Sequence, residues 1–495
     1  MPNVAALYFF TRHVHSMSEQ TLSPATGRSP AATQPGGEPA RTTLKSIGIV
    51  VAAGAVGLLA ALFVPAPMAL AAALAVFCIG MWATAAAPEY WTALAFFLVA
   101  VLSGIAPPQT VFSGFYSSTF WLLFGGMILG ASIRYTGLGA RMAAALSGML
   151  GKRYSTVVAG VTVFSLALAF VMPSSIGRIV LLLPIVIGLA DHMGYGAGAN
   201  GRTGMVLAAA FGTFLPAFTI LPANAPNMIM AGMAETLYGE RFSYWAYLLT
   251  HFPVLGLLKT WVLVVLIVKM FPDGDPQRPP DTGDKQADMS PAEKRLALVL
   301  AACLVLWLTD ALHHVSPGWI ALAAGLFCLW PASRLTSKKC INEEVNYASL
   351  FFVAGILGLG AVISSAGLGE TVVERLSEHA DFSADRPVWN VIMLTGISTL
   401  VAMITNLPGV PVVMTPMAEN LSALTGLPLT TVLMTQVLAF SNVFLPYQAP
   451  PLITAMLLGG LPTGAVVRLC LVMFAIGALV LMPLDLLWWY ALGMM

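Results

Sequence analysis

The sequence predicts an all-α polytopic membrane protein, with about eleven transmembrane helices, two re-entrant hairpins and two inverted-topology repeats. Three observations carry this expectation. First, 58% of the 495 residues are hydrophobic and only 9% charged, where soluble domains carry about 25% charge; several apolar runs also exceed the roughly 20 residues that span a bilayer. Second, two polar interruptions, MPSSIGRIVLLLPI (172–185) and AMITNLPGVPVVMTP (402–416), lie inside apolar runs whose flanks look too short to cross singly. Backbone that leaves helical geometry at membrane depth must be buried in protein or line a wet cavity, because lipid cannot satisfy its amides and carbonyls. Third, the order of elements repeats in the two halves of the chain.

In chain order, residues 1–43 are rich in Ser, Thr, Pro, Gly and Ala and read as a disordered cytoplasmic tail. An extra span follows at 44–66, and the first repeat is expected over 67–271. Within it, spans are predicted at 68–87, 91–105 and 115–137, then an amphipathic interfacial piece at 137–153 and a hairpin at 157–189. A Gly-rich loop (194–204), a span broken at LPANAP and a span at 245–271 complete it. The polar stretch 272–293 reads as a linker, and 294–495 as the second repeat. This repeat has spans at 296–312, 317–330 and 350–367, an amphipathic GLGETVVERLSEHA, a hairpin at 388–424, a broken span at 430–459 and a final span at 466–492.

Residues support the duplication. Gly137-Leu138-Gly139 recurs as Gly367-Leu368-Gly369 at an offset of 230, and Pro184 recurs as Pro416 at 232. LPANAPNMI (221–229) recurs as LPYQAPPLI (445–453) at 224. With the N-terminus inside, all loop Lys and Arg except Arg241, Arg375 and Arg386 fall on the cytoplasmic face, as the positive-inside rule asks. An odd number of spans per repeat then inverts the second copy, so the hairpins enter from opposite faces of the cytoplasmic membrane. The five cysteines show no metal-binding or redox spacing and read as small buried hydrophobes. A net charge of +1 gives no reason to expect a nucleic-acid partner.

Paired interruptions at corresponding places point to a binding site near the midplane. An anion stripped of water there needs donors and positive potential, which half-helix N-termini, hydroxyls and amides supply. Ser174, Ser175, Asn224, Asn227, Thr405, Asn406 and Gln448 are such residues at the four breaks; the plainer reading is that they cap helices. Arg178 lies between FVMPSSIG and IVLLLPI. An intramembrane charge is costly, so Arg178 either faces substrate, standing in for a coupling cation, or pairs with backbone carbonyls of the hairpin. Lys259, inside LGLLKTWVLVV, is expected to be structural, its stem long enough to snorkel. Asp310 and Asp485 sit near predicted span ends, where a solvated carboxylate is ordinary, and His313-His314 in an outer loop.

WLLFGGMILGASIRYTGLGARMA before the first hairpin, PSSIGRIVLLLPI at its tip and NAPNMIMAG in the broken span resemble the divalent anion:sodium symporters, carriers of di- and tricarboxylates and sulfate. The resemblance covers nearly all of 46–492. Members of that family carry Ser-Asn-Thr at each hairpin tip and a Thr-Pro-Pro-Asn-like motif in each broken helix, holding sodium and substrate carboxylates. The first tip motif falls on Ser174, Ser175 and Ile176, where only the serine matches, and the second on Thr405, Asn406 and Leu407. The broken-helix motifs fall on Asn224, Ala225, Pro226 and Asn227, and on Gln448, Ala449, Pro450 and Pro451. The resemblance implies sodium at Ser174, Thr405 and Asn406, no other cofactor, and a homodimer whose scaffold holds two moving transport cores.

The chain therefore reads as a secondary carrier of small anions, cation-coupled and working by alternating access. A sodium-independent exchanger and a proton or cation antiporter remain as alternatives; an antiporter of cations would want a carboxylate at a hairpin tip or helix break, and none stands at those interruptions. A membrane-embedded enzyme is disfavoured because the sequence holds no HExxH and no paired intramembrane aspartates.

Overall fold

A computed structural model describes residues 38–142, 150–277, 288–378 and 380–494, with side chains from residue 46 onward. Residues 1–37 of the expected tail, the middle of the expected interfacial piece (143–149) and the linker's middle (278–287) lie outside the described residues. The described part is mostly helical, and several helices open on a side-chain cap: Ser117, Ser174, Ser243, Ser290, Ser316 or Asn346. The first half holds α1 (Glu38–Ala60), α2 (Ala66–Thr84), α3 (Glu89–Leu102), α4 (Ser118–Thr136), α5 (Tyr154–Val171), α6 (Ser175–His192), α7 (Asn200–Phe214) and α8 (Ala225–Tyr238). After α9 (Tyr244–His251) comes a π-helical stretch, Phe252–Leu258, that runs straight into α10 (Lys259–Met270). The second half holds α11 (Pro291–Leu308), α12 (Pro317–Leu329), α13 (Tyr347–Ser365), α14 (Leu368–Ser377), α15 (Pro387–Ile404), α16 (Gly409–Met414), α17 (Ala418–Thr425), α18 (Leu429–Phe440) and α19 (Pro450–Gly459). It closes with α20 (Thr463–Ile476), a second π-helical stretch at Gly477–Leu481, and α21 (Met482–Ala491). The described residues from 45 onward form one compact unit.

Seven helical segments among the described residues are long and apolar enough to cross a membrane, and five shorter apolar helices accompany them. The protein is an all-α polytopic membrane protein. The recurring Gly-Leu-Gly has a local cause: Gly137 and Gly367 both adopt left-handed φ, +80° and +73°, which end α4 and α13 at low cost only without a Cβ. All five cysteines are buried and free.

Both interruptions are helical hairpins. Tyr154, at the start of α5, packs its ring on Tyr195, just beyond the end of α6, with centroids 5.9 Å apart. Asn390, in the first turn of α15, donates through Nδ2 to the carbonyl of Thr425 at the end of α17 (3.0 Å). In each case the feet meet and the break is the tip. The arms are longer than the flanking runs suggested: α5 and α6 each have 18 residues, enough by length and composition to cross. The helix continues through the polar Ser175, Gly177 and Arg178, which the sequence reading placed in the break, because Ser174 caps α6 at its first turn.

The two halves pack reciprocally. α4 of the first half lies along α12 of the second, and α13 of the second along α3 of the first. A Cβ on Gly125 (α4) would collide with the backbone of Ala321 (α12), and one on Gly355 (α13) with Ala93 (α3). These are equivalent positions, so the two crossings are one contact made twice. The hairpins follow the same rule: α6 packs on α19, and α16 on α8. The first tip stands opposite the middle of α4, where a Cβ on Gly126 would come within 2.6 Å of the Pro173 ring. The second tip, Thr405 to Gly409, stands beside Phe352 and Ile356 in the first half of α13.

Candidate functional site: two tip-to-break junctions

At the first junction the hairpin tip meets the unwound stretch between α7 and α8. Ser174 is the N-cap of α6, its Oγ accepting from the Gly177 amide (3.1 Å). Ser175 donates from Oγ to the Ala223 carbonyl (3.3 Å) and accepts from Arg178 Nη2 (3.0 Å). Arg178 is fully buried. Its Nη2 also donates to the carbonyls of Thr213 (3.1 Å) and Ala223 (3.2 Å), and its Nη1 to that of Met172. One guanidinium thus ties the hairpin tip, the end of α7 and the break together, and among the described residues no carboxylate pairs with it. Asn227, also fully buried, donates from Nδ2 to the carbonyls of Ala217 and Ile220, both at 3.0 Å, and so closes the unwound stretch on itself. Arg178 Nε, Thr213 Oγ1, Asn224 Nδ2 and Asn227 Oδ1 are buried without a protein partner. Orphaned polar atoms are uncommon in native interiors, and here four gather at one helix break.

At the second junction the bridging group comes from the other side. Gln448, in the break between α18 and α19, accepts the amides of Phe444 and Leu445 on Oε1, both at 2.8 Å, and donates from Nε2 to the Ala402 carbonyl (2.9 Å) just before the tip. Its own carbonyl accepts the Leu407 amide (3.1 Å). Thr405 donates from Oγ1 to the carbonyls of Val401 (2.8 Å) and Asn406 (3.1 Å), and Asn406 Oδ1 accepts the Gly409 amide (2.9 Å). Thr405 and Asn406 line a cavity of about 20 Å³ with Ile79, Trp82, Phe352 and Ile356, room for one water-sized guest. Ser174, Ser175, Arg178, Asn224 and Asn227 therefore share one junction, and Thr405, Asn406 and Gln448 the other. Ser174 Oγ and Asn406 Oδ1, two of the expected sodium ligands, each accept a capping amide on its own tip.

A larger cavity, about 310 Å³, opens beside the first junction. It reaches the break through Leu221 and carries Glu235, Arg241, Ser243, Asp310 and His314 on its wall. Glu235 accepts from the Ser118 amide (2.8 Å) and hydroxyl (2.7 Å) and pairs with Arg241 (3.1 Å). Asp310 accepts from Ser243 Oγ (2.8 Å) and the Tyr244 amide. Each carboxylate thus sits on a helix N-terminus, α4 or α9, where the positive end of the helix dipole favours it. None of the eight expected site residues lines this cavity. Glu235, alone among the apolar residues of MIMAGMAETLY, was the available sequence signal.

Residues 79–440 match the citrate transporter family, which is close to three quarters of the chain. The chain belongs to the citrate transporter family. Similar proteins include dicarboxylate transporter 2 of spinach chloroplasts, 25% identical over 285 residues (54% of this chain, 49% of the relative). Another is the L-tartrate/succinate antiporter of Escherichia coli K12, 26% identical over 271 residues (52% and 54%). The matched stretch spans about half the length of these relatives. Among solved structures, the YdaH transporter of Alcanivorax borkumensis shares the fold, with a TM-score of 0.52 at 14% identity over 87% of this chain and 99% of that one. The anion:sodium symporter resemblance therefore led to a family of carboxylate carriers.

Proposed function

We propose that this citrate transporter family member is a secondary active transporter that carries a small di- or tricarboxylate across the cytoplasmic membrane by alternating access. The carrying observation is the pair of tip-to-break junctions, each joining a hairpin tip to an unwound helix opposite the middle of a long helix of its own half. Ser174, Ser175, Asn224 and Asn227 on one side, and Thr405, Asn406 and Gln448 on the other, supply the donors for substrate carboxylates. The half-helix N-termini of α6, α8, α16 and α19 add positive potential. Arg178 is a positioning residue that also leaves an unmatched positive charge at the first tip. Substrate reaches the break through the cavity walled by Glu235, Arg241 and Asp310.

In this reading the hairpins are re-entrant, and residues 67–271 and 294–495 are inverted repeats joined by the 272–293 linker. The N-terminus and the basic loops around Arg141, Lys152 and Arg202 face the cytoplasm. The chain works as a homodimer in a lipid bilayer. Coupling by sodium bound at Ser174, Thr405 and Asn406 is the first reading; sodium-independent exchange is the second, favoured by Arg178, since a fixed charge and a bound cation in one desolvated site repel strongly. Counterflow in proteoliposomes against citrate, succinate, malate, tartrate and sulfate, with and without sodium, tests both. Failure of every carboxylate to exchange would refute the proposal, and sodium-independent exchange would select the second reading.

A further inference from the structure

The opening of the expected linker, 272–277, is folded back as a strap on the foot of the first hairpin. Asp275 Oδ1 accepts the Tyr154 amide (3.0 Å) at the start of α5, and Asp273 Oδ2 accepts the Gly201 amide (2.7 Å) in the first turn of α7. Ala199, the residue before α7, has no side chain that could cap that helix, so Asp273 does so from outside. Around these two carboxylates the strap is fastened further. The Gly274 carbonyl accepts from the Tyr195 hydroxyl (2.7 Å), and the Pro272 carbonyl from Asn200 Nδ2 (3.1 Å). The Gln277 amide donates to the carbonyl of Met193, the C-cap of α6 (3.0 Å). One short stretch thus binds the start of α5, the end of α6 and the start of α7.

The far ends of α5 and α7 are clamped as well. Met172 is the C-cap of α5 and Thr213 lies in the last turn of α7, and Arg178 donates to the carbonyls of both. The two helices therefore run parallel, from the strap to the first junction. Helix N-termini favour anions and C-termini cations, and each end of this pair has its complement: two carboxylates at one end, one guanidinium at the other. Between the clamps α5 and α7 pack closely. Gly204, Ala208 and Gly212 recur at every fourth position of α7, a spacing that lets backbones approach. A Cβ on Gly212 would come within 3.1 Å of Thr162 on α5, and one on Gly204 would collide with the Tyr154 hydroxyl. That hydroxyl donates to the Phe271 carbonyl (2.9 Å), where the strap begins. The other arm, α6, contains Pro184, which removes a helical hydrogen bond and permits bending. α5 has no proline and is the stiff arm.

We propose that Asp273 and Asp275 are positioning residues for transport: by clamping the N-termini of α5 and α7 they set the register in which the first hairpin tip meets the broken helix. The strap touches no substrate and acts through the helix pair, over about 27 Å of an 18-residue arm. With the clamp released, α5 slides against α7, and the Met172 and Thr213 carbonyls no longer face Arg178 together. The contact of Ser175 with Ala223 is lost with them, and the donors of the first junction leave their places. The inference rests on the transport reading above, and one arm of the experiment is independent of it.

Full-length Asp273→Ala/Asp275→Ala is compared with wild type by amide hydrogen exchange in detergent and by carboxylate counterflow in proteoliposomes. Exchange at the first tip, 172–178, is expected to rise by about tenfold or more, while the second tip, 405–410, stays within about twofold of wild type. The half-saturating substrate concentration is expected to rise by about tenfold, with the maximal rate within about threefold. Asp273→Asn/Asp275→Asn, whose amide oxygens accept the same two bonds, is expected to behave as wild type in both. Glu293→Gln, which breaks the ion pair with Arg141 at the far end of the linker, is the control for general loss of stability and is expected to change neither. Should the paired Ala variant not be recovered folded, Asp275→Ala alone decides by the same readouts. Exchange that rises only at the foot, or equally at both tips, overturns the proposal, as does an unchanged half-saturating concentration. Absence of wild-type counterflow refutes the transport reading, and the exchange arm then decides by itself whether the strap holds the tip.

Discussion

Arg178 is where the two roles of an intramembrane charge separate most sharply. Replacing it with Met leaves the carbonyls of Met172 and Thr213 without their donor in a fully buried setting, while that of Ala223 keeps Ser175 Oγ. Each orphaned acceptor costs about 1–3 kcal/mol, so the gross loss is about 2–6 kcal/mol. Relief from burying a guanidinium offsets part of this, and a net loss of about 1–3 kcal/mol is expected. Lys is the decisive comparison: it keeps the charge, but a single ammonium cannot fork to three carbonyls on three segments as the planar guanidinium does. If Arg178 is chiefly a clamp, Arg178→Lys and Arg178→Met lower the melting temperature of the detergent-purified protein by similar amounts and abolish counterflow together. If its charge substitutes for a coupling cation, Arg178→Lys retains uptake that is insensitive to sodium, whereas Arg178→Gln becomes inactive or sodium-dependent. A Met variant that melts with wild type and transports the same anions at the same rate would refute both roles.

Asn227→Ala removes the side-chain donor from the Ala217 and Ile220 carbonyls, leaving each a backbone amide, and counterflow is expected to fall at least tenfold; wild-type rates would remove Asn227 from the site. Gly126→Val has no room against Pro173 and is expected to cost about 1–3 kcal/mol by overpacking, read as a lower melting temperature with transport falling further than stability, because the tip itself is displaced. The Arg141–Glu293 pair (2.7 Å) joins the segment after α4 to the first turn of α11, and the hydrogen bond from Arg141, aided by capping at Ser290, holds the Glu293 carboxyl down to about 2. A depressed folded-state value stabilises above the unfolded value of about 4.3, so the melting difference between wild type and Glu293→Gln should be full at neutral pH and shrink from about pH 4 toward pH 2; a difference that grows on acidification would contradict this.

The spans and breaks were legible because their causes are local. Apolar runs predicted 68–87 where α2 covers Ala66–Thr84 and 245–271 where Tyr244–Met270 is helical, and Pro, Gly and Ser marked both tips and both broken helices. Non-local packing was not legible. Ser174 and Asn406 are cap residues, yet Asn224 and Asn227, with the same side chain types nearby in sequence, keep unpartnered atoms; only the approach of α7 and the hairpin decides which. Asp485 looked solvated because it lies near a chain end, and the fold of α21 against α9 buries it. Glu235 was passed over and Asp310, which is buried, was read as a solvated carboxylate, because the cavity they line exists only where α8, α9 and the turn before α12 converge.

The junctions also show how duplication can be kept in backbone and broken in chemistry. Each tip must satisfy a carbonyl that precedes the break in its hairpin, Met172 in one half and Ala402 in the other. In the first half the donor is Arg178, reaching from the hairpin to the broken helix. In the second it is Gln448, reaching from the broken helix to the hairpin. The same hydrogen-bonding need is met once with a full positive charge and once with a neutral amide. Two halves related by packing therefore present different potentials, positive at the first tip and neutral at the second. In the proposed transport reading, an anion held between such tips would be attracted more strongly to one than to the other, giving a preferred orientation to a substrate whose carboxylates are not equivalent. A citrate-like or tartrate-like molecule should accordingly respond unequally to Arg178→Gln and Gln448→Leu.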